Sequence, residues 1–339
     1  MEKLLFLFLL ITPQCFCQQP VWKNIDTRTN ATFRSLSVVD DSVAWVGGTN
    51  GWIGRSTNGG NDWAMKQVKG FEKCDFRSLY AIDAKNAVIA NAGSPAYILR
   101  TKDGGLNWQV VYKNDDTAAF FDGIDFWNYT EGIIYGDPLK GRMMVLRTTD
   151  GGLNWLEMPE QYRPALEKGE ASFAASGTSI RCRGKSNVVI ATGGAVSRLF
   201  ISTDRGKEWK IIKTPIIQGE NSTGIFSVAF IDENNGIIVG GDYKKDTLAK
   251  DHVFYTKDGG KTWQKPVKAT RGYRECVTYI DPKTAIATGP TGTDISYDGG
   301  INWNPLQDEK KMHVIRKSRK GNLVILAGSG GKIALLGLK

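Results

Sequence analysis

The sequence contains few of the residues that build metal sites and disulfide frameworks. It has 2 histidines and 5 cysteines among 339 residues, and Cys15 and Cys17 fall in the apolar amino-terminal segment. With so few histidines we expect no Cys/His metal site. The other cysteines, Cys74, Cys182 and Cys276, are odd in number and far apart, so we expect small buried side chains rather than a disulfide framework.

Long apolar runs are also scarce. Leu4–Ile11 follows Lys3 and is too short to span a bilayer, and two cysteines occupy the small-residue positions before Gln18. We therefore expect residues 1–17 to be a signal peptide and the chain to be periplasmic or secreted after cleavage near Cys17/Gln18. Glutamine and phenylalanine precede the two cysteines, which disfavours lipidation, and no later segment predicts a transmembrane span.

Proline is scarce relative to glycine, with 11 prolines against 39 glycines, which favours short strands and tight turns over long helices. The hydrophobic fraction of 41% and the charged fraction of 23% are those of an ordinary soluble domain. The net charge of +9 is distributed, with one basic block at Glu309–Lys320. We assign it to a solvated surface and expect no nucleic-acid partner, because an exported basic protein first meets anionic lipids, polysaccharides and acidic protein segments.

An eight-residue turn recurs six times along the chain. Its pattern is Ser/Thr, any residue, Asp, any, Gly, any, any, Trp, and only the first copy replaces Asp by Asn. Successive tryptophans are 45, 47, 54, 54 and 40 positions apart, a period typical of repeated supersecondary units. The copies are Ser56–Trp63, Thr101–Trp108, Thr148–Trp155, Ser202–Trp209, Thr256–Trp263 and Ser296–Trp303.

The residue types in this turn indicate a structural role. A Ser/Thr hydroxyl and an Asp carboxylate can accept nearby backbone N–H groups, and the shared glycine supplies a positive φ. The tryptophan then buries a large ring between neighbouring units. We therefore do not expect the aspartates of the turns to take part in catalysis or metal binding.

The spacing of the repeat predicts the fold. Short apolar strands surround each turn, and four strands in ~45 residues are the size of a propeller blade. The chain has six turns, but Trp22 stands 41 residues before Trp63 in a lone strand, Pro20–Ile25. We predict an all-β, seven-bladed β-propeller of four-stranded blades over residues 18–339. The amino-terminal strand completes the last blade and leaves no open edge.

The turns resemble Asp-box, or bacterial neuraminidase (BNR), repeats. With segments such as Gly51–Trp63 and Ala96–Trp108, residues 20–339 resemble the photosystem II assembly/stability-factor-like propellers in their exported bacterial branch. The resemblance implies the propeller fold. It also implies a protein partner, because members of the photosynthetic branch bind a membrane protein during assembly through an arginine-rich face. The shared motif is a scaffold turn and specifies no activity.

The strand directions of a propeller predict where a ligand would bind. The starts of the first strands and the loops between strands two and three share one face, around the channel mouth. The basic first-strand residues come from four consecutive blades and the carboxylates from the other three, so we expect a cationic side and a carboxylate-rich side. The ligand-binding candidates are Arg34, Arg77, Arg274, His313, Asp137, Asp242 and Arg198, and the further carboxylates are Asp122 and Glu170.

We expect a binding module at this face. The arginines would grip an anionic group, for which the guanidinium fork is suited, and the carboxylates would hold sugar hydroxyls or basic side chains. The partner would be a protein or an anionic or glycan ligand, bound by a monomer without a cofactor. The glycine-rich segments lead into no helix that could receive a nucleotide phosphate.

The alternative is a sialidase-like glycoside hydrolase acting at the same mouth. Sialidases have six blades and an Arg-Ile-Pro segment near the first strand, where this chain reads Phe-Arg-Ser-Leu, and these differences favour binding. The enzyme candidates are Arg34, Arg77 and Arg274 as an arginine triad, Asp122 and Glu170 as the acid and the nucleophile, and Tyr273 as another conceivable nucleophile.

Two long spacings between tryptophans mark insertions. The segments 157–173 and 241–254 exceed what a blade needs. Long loops in compact domains are often functional or mobile. We expect both to rise over the carboxylate side of the mouth and to shape its specificity.

Overall fold

Seven antiparallel sheets follow one another along the chain. The computed structural model describes residues 21–307 and 309–337, so the predicted signal peptide and its cleavage at Cys17/Gln18 lie outside the described residues. The sheets form the four-stranded blades of an all-β, seven-bladed propeller, which confirms the predicted fold class. One short 3₁₀ helix, Glu160–Tyr162, is the only helix within these two ranges.

The blades are numbered in chain order, and the strands of each run in sequence from the ring axis outward. Blades 1 to 4 contain Phe33–Val38, Ala44–Gly48, Trp52–Ser56, Ala64–Gln67; Phe76–Ala81, Ala87–Asn91, Ala96–Thr101, Gln109–Asn114; Phe121–Phe126, Gly132–Leu139, Arg142–Thr148, Leu156–Glu157; and Ile180–Arg183, Asn187–Ala191, Arg198–Ser202, Lys210–Lys213. Blades 5 to 7 contain Thr223–Phe230, Gly236–Asp242, Val253–Thr256; Cys276–Tyr279, Ala285–Gly289, Gly292–Ser296, Asn304–Gln307; and Met312–Lys317, Val324–Gly328, Lys332–Gly337, Val21–Asp26.

Blade 5 departs from the regular pattern. Its outer position is a single bridge between Tyr255 and Gln264 rather than a full strand. Two short strands, Glu170–Ala171 and Gly193–Gly194, extend its sheet past the inner strand. The insertion before blade 4 therefore joins the sheet of blade 5 through Gly193–Gly194, which pairs with Glu170–Ala171 on one side and with Gly224 of blade 5 on the other.

The ring closes through its two ends. Val21–Asp26 pairs antiparallel with Lys332–Gly337, with Trp22 opposite Leu336. The inner strand of each blade contacts the inner strand of the next, and the inner strand of blade 7 contacts that of blade 1. Trp22 packs against a hydrophobic core that includes residues of blades 1, 6 and 7, and so takes the place predicted for a seventh tryptophan.

The hydrophobic core lies between neighbouring blades. Trp45 of blade 1 belongs to one buried cluster with Phe76 and Ile89 of blade 2, and all three are fully buried. Outer strands such as Ala64–Gln67 are mostly exposed. Each blade thus covers the apolar face of the next, which is why the repeated strands need neighbours on both sides.

The recurring turn is satisfied within itself. Thr101 Oγ1 donates to Asp103 Oδ1 (2.8 Å) and accepts the Gly105 N–H (3.0 Å), and Asp103 Oδ1 accepts the Asn107 N–H (3.0 Å). Gly105 has a φ of +84°, and a Cβ there would lie 3.2 Å from Trp45 of the preceding blade. The first copy makes equivalent contacts through its asparagine. These contacts support the structural role predicted for the turn.

A segment before blade 4 crosses the centre of the ring. Residues 172–179, which we call the axial segment, are buried except for one phenylalanine. The Ala175 carbonyl accepts a hydrogen bond from Arg34 of blade 1 (3.0 Å), and the Ser176 hydroxyl donates to the carbonyl of Glu275 beside blade 6 (2.7 Å). Further bonds reach blades 5 and 7. The axial segment therefore occupies the channel between its two mouths.

Candidate functional site

A cavity of about 460 Å³ opens where the inner strands begin. This volume lies within the range of ligand pockets, roughly 300–1,000 Å³. We call it the mouth cavity. Five residues proposed from the sequence line it together: Arg34, Arg77, Asp137, Tyr273 and His313.

Several of these side chains occupy β-bulges at the starts of the inner strands. The pairing register shifts in the inner strands of blades 1, 2, 3, 5 and 7 and leaves one residue unpaired in each. A bulged residue lies outside the regular ladder, so its side chain can be turned away from the blade. The five bulged residues are Arg34, Arg77, Asp122, Phe226 and His313. All of them except Asp122 line the mouth cavity.

Two arginines supply the cationic side of the mouth cavity. Arg34 Nη1 binds Glu275 Oε1 (3.1 Å) and the Ala175 carbonyl (3.0 Å), and Arg77 Nε binds Asp75 Oδ2 (2.7 Å). Among the described residues nothing accepts a hydrogen bond from Nε and Nη2 of Arg34 or from either Nη of Arg77. Both guanidinium groups are partly exposed, so these N–H groups are available to a ligand.

Glu275 connects the cationic groups of the cavity. Its carboxylate binds Arg34 and His313 Nδ1 and lies 3.4 Å from the Tyr273 hydroxyl, while His313 Nε2 binds Ser329 Oγ (2.8 Å). Burial acts to raise the pKa of Glu275, but the Arg34 charge and His313 hold that pKa below its ordinary value. Glu275 directly follows the candidate Arg274 in the sequence.

An aromatic wall faces these charges. Phe173 and Phe226 stack with ring centroids 4.0 Å apart at 5°, and Tyr273 meets Phe226 edge-on at 4.7 Å. Tyr243 packs at the rim with 47% of its surface exposed. Phe173 and Tyr243 come from the two insertions, so the insertions do shape the cavity, but with aromatic rings that the sequence analysis missed.

The carboxylate side is smaller than predicted. Asp137 lines the cavity and accepts the Ser172 N–H (3.0 Å), and Asp246 from the second insertion lines it as well. Asp122 is fully buried, and among the described residues its carboxylate oxygens make no hydrogen bond of good geometry, although the Ala174 N–H and the Arg77 charge partly stabilise its ionised form. Desolvation and the nearby Asp137 raise the pKa of Asp122 well above its ordinary value. This carboxyl group is a buried neighbour of the cavity and not part of its lining.

Four other predicted residues do not reach the mouth cavity, contrary to expectation. Arg274 is fully buried and its Nε donates to Asp294 (2.8 Å) within blade 6. Arg198 Nε donates to Glu170 Oε1 (3.0 Å), and both side chains are buried. Asp242 accepts a backbone N–H two residues further on and so stabilises its own turn. Each of the four side chains is therefore held by a hydrogen-bond partner outside the mouth cavity.

The described residues contain neither a metal-binding cluster nor a membrane-spanning helix. Between residues 21 and 307 and between 309 and 337, no cluster of three or more His, Cys, Asp or Glu side chains is arranged to hold a metal ion. The same ranges contain no helix that is long and apolar enough to cross a bilayer. Cys74, Cys182 and Cys276 are free thiols.

Sequence comparisons give matches to one family and one repeat. Residues 15–115 match the family model described as Photosynthesis system II assembly factor YCF48, and residues 254–265 match the BNR/Asp-box repeat. Over 91 residues the chain is 31% identical to the Photosystem II assembly lipoprotein Ycf48 of Synechococcus sp. (strain CC9902). That alignment spans 27% of this chain and 27% of the relative.

Solved structures resemble nearly the whole chain. A structure described as YCF48 bound to D1 peptide has a TM-score of 0.68 at 17% identity and covers 94% of this chain and 96% of its own. YCF48 from Cyanidioschyzon merolae has a TM-score of 0.68 at 16% identity, with 93% and 98% covered. The GH74 xyloglucanase from Xanthomonas campestris reaches 0.61 at 12% identity over 93% of this chain and 53% of its own. At these identities the likeness shows the fold.

Proposed function

We propose that this chain, a BNR-type β-propeller of the photosystem II assembly factor family, is a protein-binding module that holds a polypeptide segment in the mouth cavity. The observation that carries the proposal is the meeting of unused arginine N–H donors and an aromatic wall in one cavity. Such a pairing of a few oriented polar groups with apolar surface is typical of ligand sites.

The cavity chemistry specifies the kind of segment that would bind. A carboxylate, from an acidic side chain or a chain terminus, would accept hydrogen bonds from Arg34 and Arg77. An aromatic or aliphatic side chain beside it would pack on Phe226 and Tyr243, whose rings already form an edge-to-face pair. We infer an acidic segment that also carries an apolar side chain.

The relatives support a protein ligand and export. One solved relative is described as YCF48 bound to D1 peptide, and its fold covers nearly all of this chain, which supports a peptide in the corresponding role here. The curated relative is named a lipoprotein, which supports export of this chain and agrees with the signal peptide predicted at residues 1–17. We propose that the protein acts as an exported monomer without a cofactor.

Peptide titration tests this proposal. Fluorescence anisotropy would compare a short labelled peptide rich in acidic and aromatic residues with the same peptide carrying amides in place of its carboxylates. We expect the acidic peptide alone to bind, and the Arg34→Gln/Arg77→Gln double variant to lose about tenfold or more in affinity. The matched control is Lys66→Gln/Lys210→Gln, which removes the same charge from exposed outer-strand positions. Equal affinity of the two double variants for the acidic peptide would contradict the proposed site.

Binding is proposed ahead of glycoside hydrolysis because neither member of the candidate acid–nucleophile pair lines the mouth cavity. Glu170 is paired with Arg198, and Asp122 is buried outside the cavity lining. Fluorogenic sialosides and other glycosides test the alternative directly. Turnover by the wild-type protein that disappears in Asp122→Asn or Glu170→Gln would favour the enzyme over the binding module.

A further inference from the structure

A second cavity, of about 240 Å³, lies at the opposite end of the ring, where the inner strands end. Residues from the inner strands of blades 1, 2, 3, 4, 6 and 7 line it, so it sits on the propeller axis. The axial segment lies between it and the mouth cavity, because the Gly177 carbonyl of that segment accepts a hydrogen bond from Arg316 at the edge of the second cavity (3.2 Å).

Four cationic side chains converge on this cavity, which we call the basic cavity. They are Arg181, Arg316, Lys317 and Arg319. Among the residues that the structure describes, Asp125 is the one carboxylate that lines the cavity. Asp125 is already used, since its two oxygens accept the backbone N–H groups of Phe126 (2.9 Å) and Cys182 (2.8 Å). In the part of the chain that the structure describes, none of the four cations has a carboxylate within ion-pair distance.

Neutral groups hold the guanidinium groups in position. Arg316 Nε donates to the Leu36 carbonyl (3.2 Å). Arg319 donates through Nη1 to Ser37 Oγ (2.9 Å) and through Nη2 to the Ala81 carbonyl. The Arg319 guanidinium also lies 4.5 Å from the centre of the Tyr80 ring. Arg181 makes one long contact, 3.4 Å from Nη1 to the carbonyl of the preceding residue. Several N–H groups of the three arginines therefore remain available to a ligand.

The convergence of these charges is electrostatically unfavourable for the protein by itself. Burial, and next the charge of Arg181, lower the pKa of Arg316 to about 9. Two buried arginines elsewhere in the chain pair with carboxylates instead, Arg198 with Glu170 and Arg274 with Asp294. A group of fixed, unpaired guanidinium groups in a partly enclosed site is the arrangement that binds multivalent oxyanions.

We propose that the basic cavity binds a tetrahedral oxyanion of the phosphate class, coordinated by Arg181, Arg316 and Arg319. The volume accommodates one such anion with a few waters, each of which takes about 30 Å³. Inorganic phosphate and the phosphate group of an ester share this chemistry. The site is separate from the mouth cavity and does not depend on the proposed peptide ligand.

Calorimetric titration of the whole protein at constant ionic strength tests the proposal. Inorganic phosphate and sulfate should bind saturably, and chloride should not. Arg181→Gln should weaken phosphate binding by about tenfold or more, because it removes the least tethered of the three charges. The control Arg183→Gln removes the same charge from the same strand but outside the basic cavity, and should bind phosphate as the wild type does.

Further measurements distinguish inorganic phosphate from a phosphate ester as the ligand, and they define the results that would overturn the proposal. Binding of methyl phosphate as tightly as inorganic phosphate would show that the site admits esters, whereas binding of inorganic phosphate alone would show an enclosed ion site. If Arg181→Gln does not fold, Arg319→Gln takes its place. Absence of saturable phosphate binding by the wild type, or equal weakening in Arg183→Gln, would overturn the proposal. Peptide affinity at the mouth cavity should be unchanged in Arg181→Gln, so the two proposals fail independently.

Discussion

Arg34 of blade 1 and Glu275 beside blade 6 form an ion pair at the mouth cavity, with Nη1 3.1 Å from Oε1. Blade 7 lies between them in the ring, and its His313 binds the other oxygen of the same carboxylate. Both acidic and basic partners are largely buried. Glu275 therefore competes with any incoming anion for Arg34, and its charge limits how strongly the cavity attracts one.

Removing that competing charge should strengthen binding of an acidic peptide. We expect Glu275→Gln to raise affinity roughly fivefold, a gain of about 1 kcal/mol, because the Arg34 guanidinium becomes free to donate to the ligand. The variant should also be less stable, since a buried charge-assisted hydrogen bond is weakened. Asp246→Asn is the control, because it removes a cavity carboxylate that makes no contact with Arg34. Anisotropy titrations check the result, and an equal gain in both variants would show a general charge effect instead.

Replacing Arg274 should lower the free energy of unfolding more than replacing Arg77. Arg274 is fully buried against Asp294, and removing one partner of a buried ion pair costs about 3–5 kcal/mol. Arg271 Nε also binds Asp294 (2.9 Å), so the loss for Arg274→Met should lie near the lower end of that range. Arg77 is one-third exposed, so Arg77→Gln should cost less than about 1 kcal/mol. Urea unfolding of Arg274→Met and Arg77→Gln measures both values. A small loss for Arg274→Met would contradict a structural role for this ion pair.

The fold was predictable because its signals are periodic and local. The turn pattern recurs at the blade period, and Trp22 falls one period before Trp63, which predicts that the amino-terminal strand pairs with the last blade. Propeller geometry also brought Arg34 and His313 to one mouth. These predictions depend only on the order of the strands along the chain, and they require no knowledge of where any single side chain points.

Side-chain direction is what the sequence could not supply. Arg274 and Glu275 are adjacent, and one pairs inside blade 6 while the other faces the cavity. These two residues precede the inner strand of blade 6, whose pairing is regular. In blades 1, 2, 3, 5 and 7 the side-chain direction depends on β-bulges, whose positions shift the two-residue alternation of a strand and leave no clear mark in the sequence. The axial segment was missed for a similar reason, because short polar and alanine residues resemble an ordinary loop until the surrounding inner strands are in place. Arg316 and Arg319 of the basic cavity lie in the basic block Glu309–Lys320, which was assigned to solvated surface because the net charge is spread along the chain.

Asp122 should destabilise the protein at neutral pH. Desolvation, and next the Asp137 charge, raise the pKa of Asp122 in the folded state, so folding favours its protonated form. Its contribution to stability is fully present below the unfolded pKa of about 3.9 and is lost as the pH rises through the folded value. Asp122→Asn should therefore raise Tm at pH 7 and leave it nearly unchanged near pH 3.

Asp232 provides the control with the opposite sign. Backbone N–H groups of Asn235 and Asn234 hold the pKa of Asp232 below its ordinary value, so Asp232→Asn should lower Tm at pH 7 and have less effect in acid. Thermal melts of both variants across this pH range check the pair. If Asp122→Asn lowers Tm at pH 7, the Arg77 charge and the Ala174 N–H stabilise the carboxylate by more than its burial destabilises it, which would contradict the prediction.

The turns should lose stability in acid. Backbone and side-chain hydrogen bonds from Asn107 lower the pKa of Asp103 to about 2, so this contribution is present above the unfolded pKa and is lost as the pH falls toward 2. Asn58 makes equivalent contacts in the first copy without a charge. Asp103→Asn should therefore preserve the turn and reduce the acid sensitivity, whereas Asp103→Ala should destabilise at every pH. Acid titration followed by tryptophan fluorescence distinguishes the two variants.

Ring closure should control both stability and association. A chain that begins at Thr27 lacks the strand Val21–Asp26 and exposes the backbone edge of Lys332–Gly337, which is a template for pairing with another chain. We expect a lower Tm and concentration-dependent oligomers in analytical ultracentrifugation. Trp22→Ala keeps the strand and its hydrogen bonds but removes a half-buried ring from the shared core, at a cost of about 1–2 kcal/mol, and should remain monomeric. If both variants form oligomers, the Trp22 ring and not the strand pairing keeps the propeller closed. A stable monomer of the chain that begins at Thr27 would show that the ring does not need its amino-terminal strand.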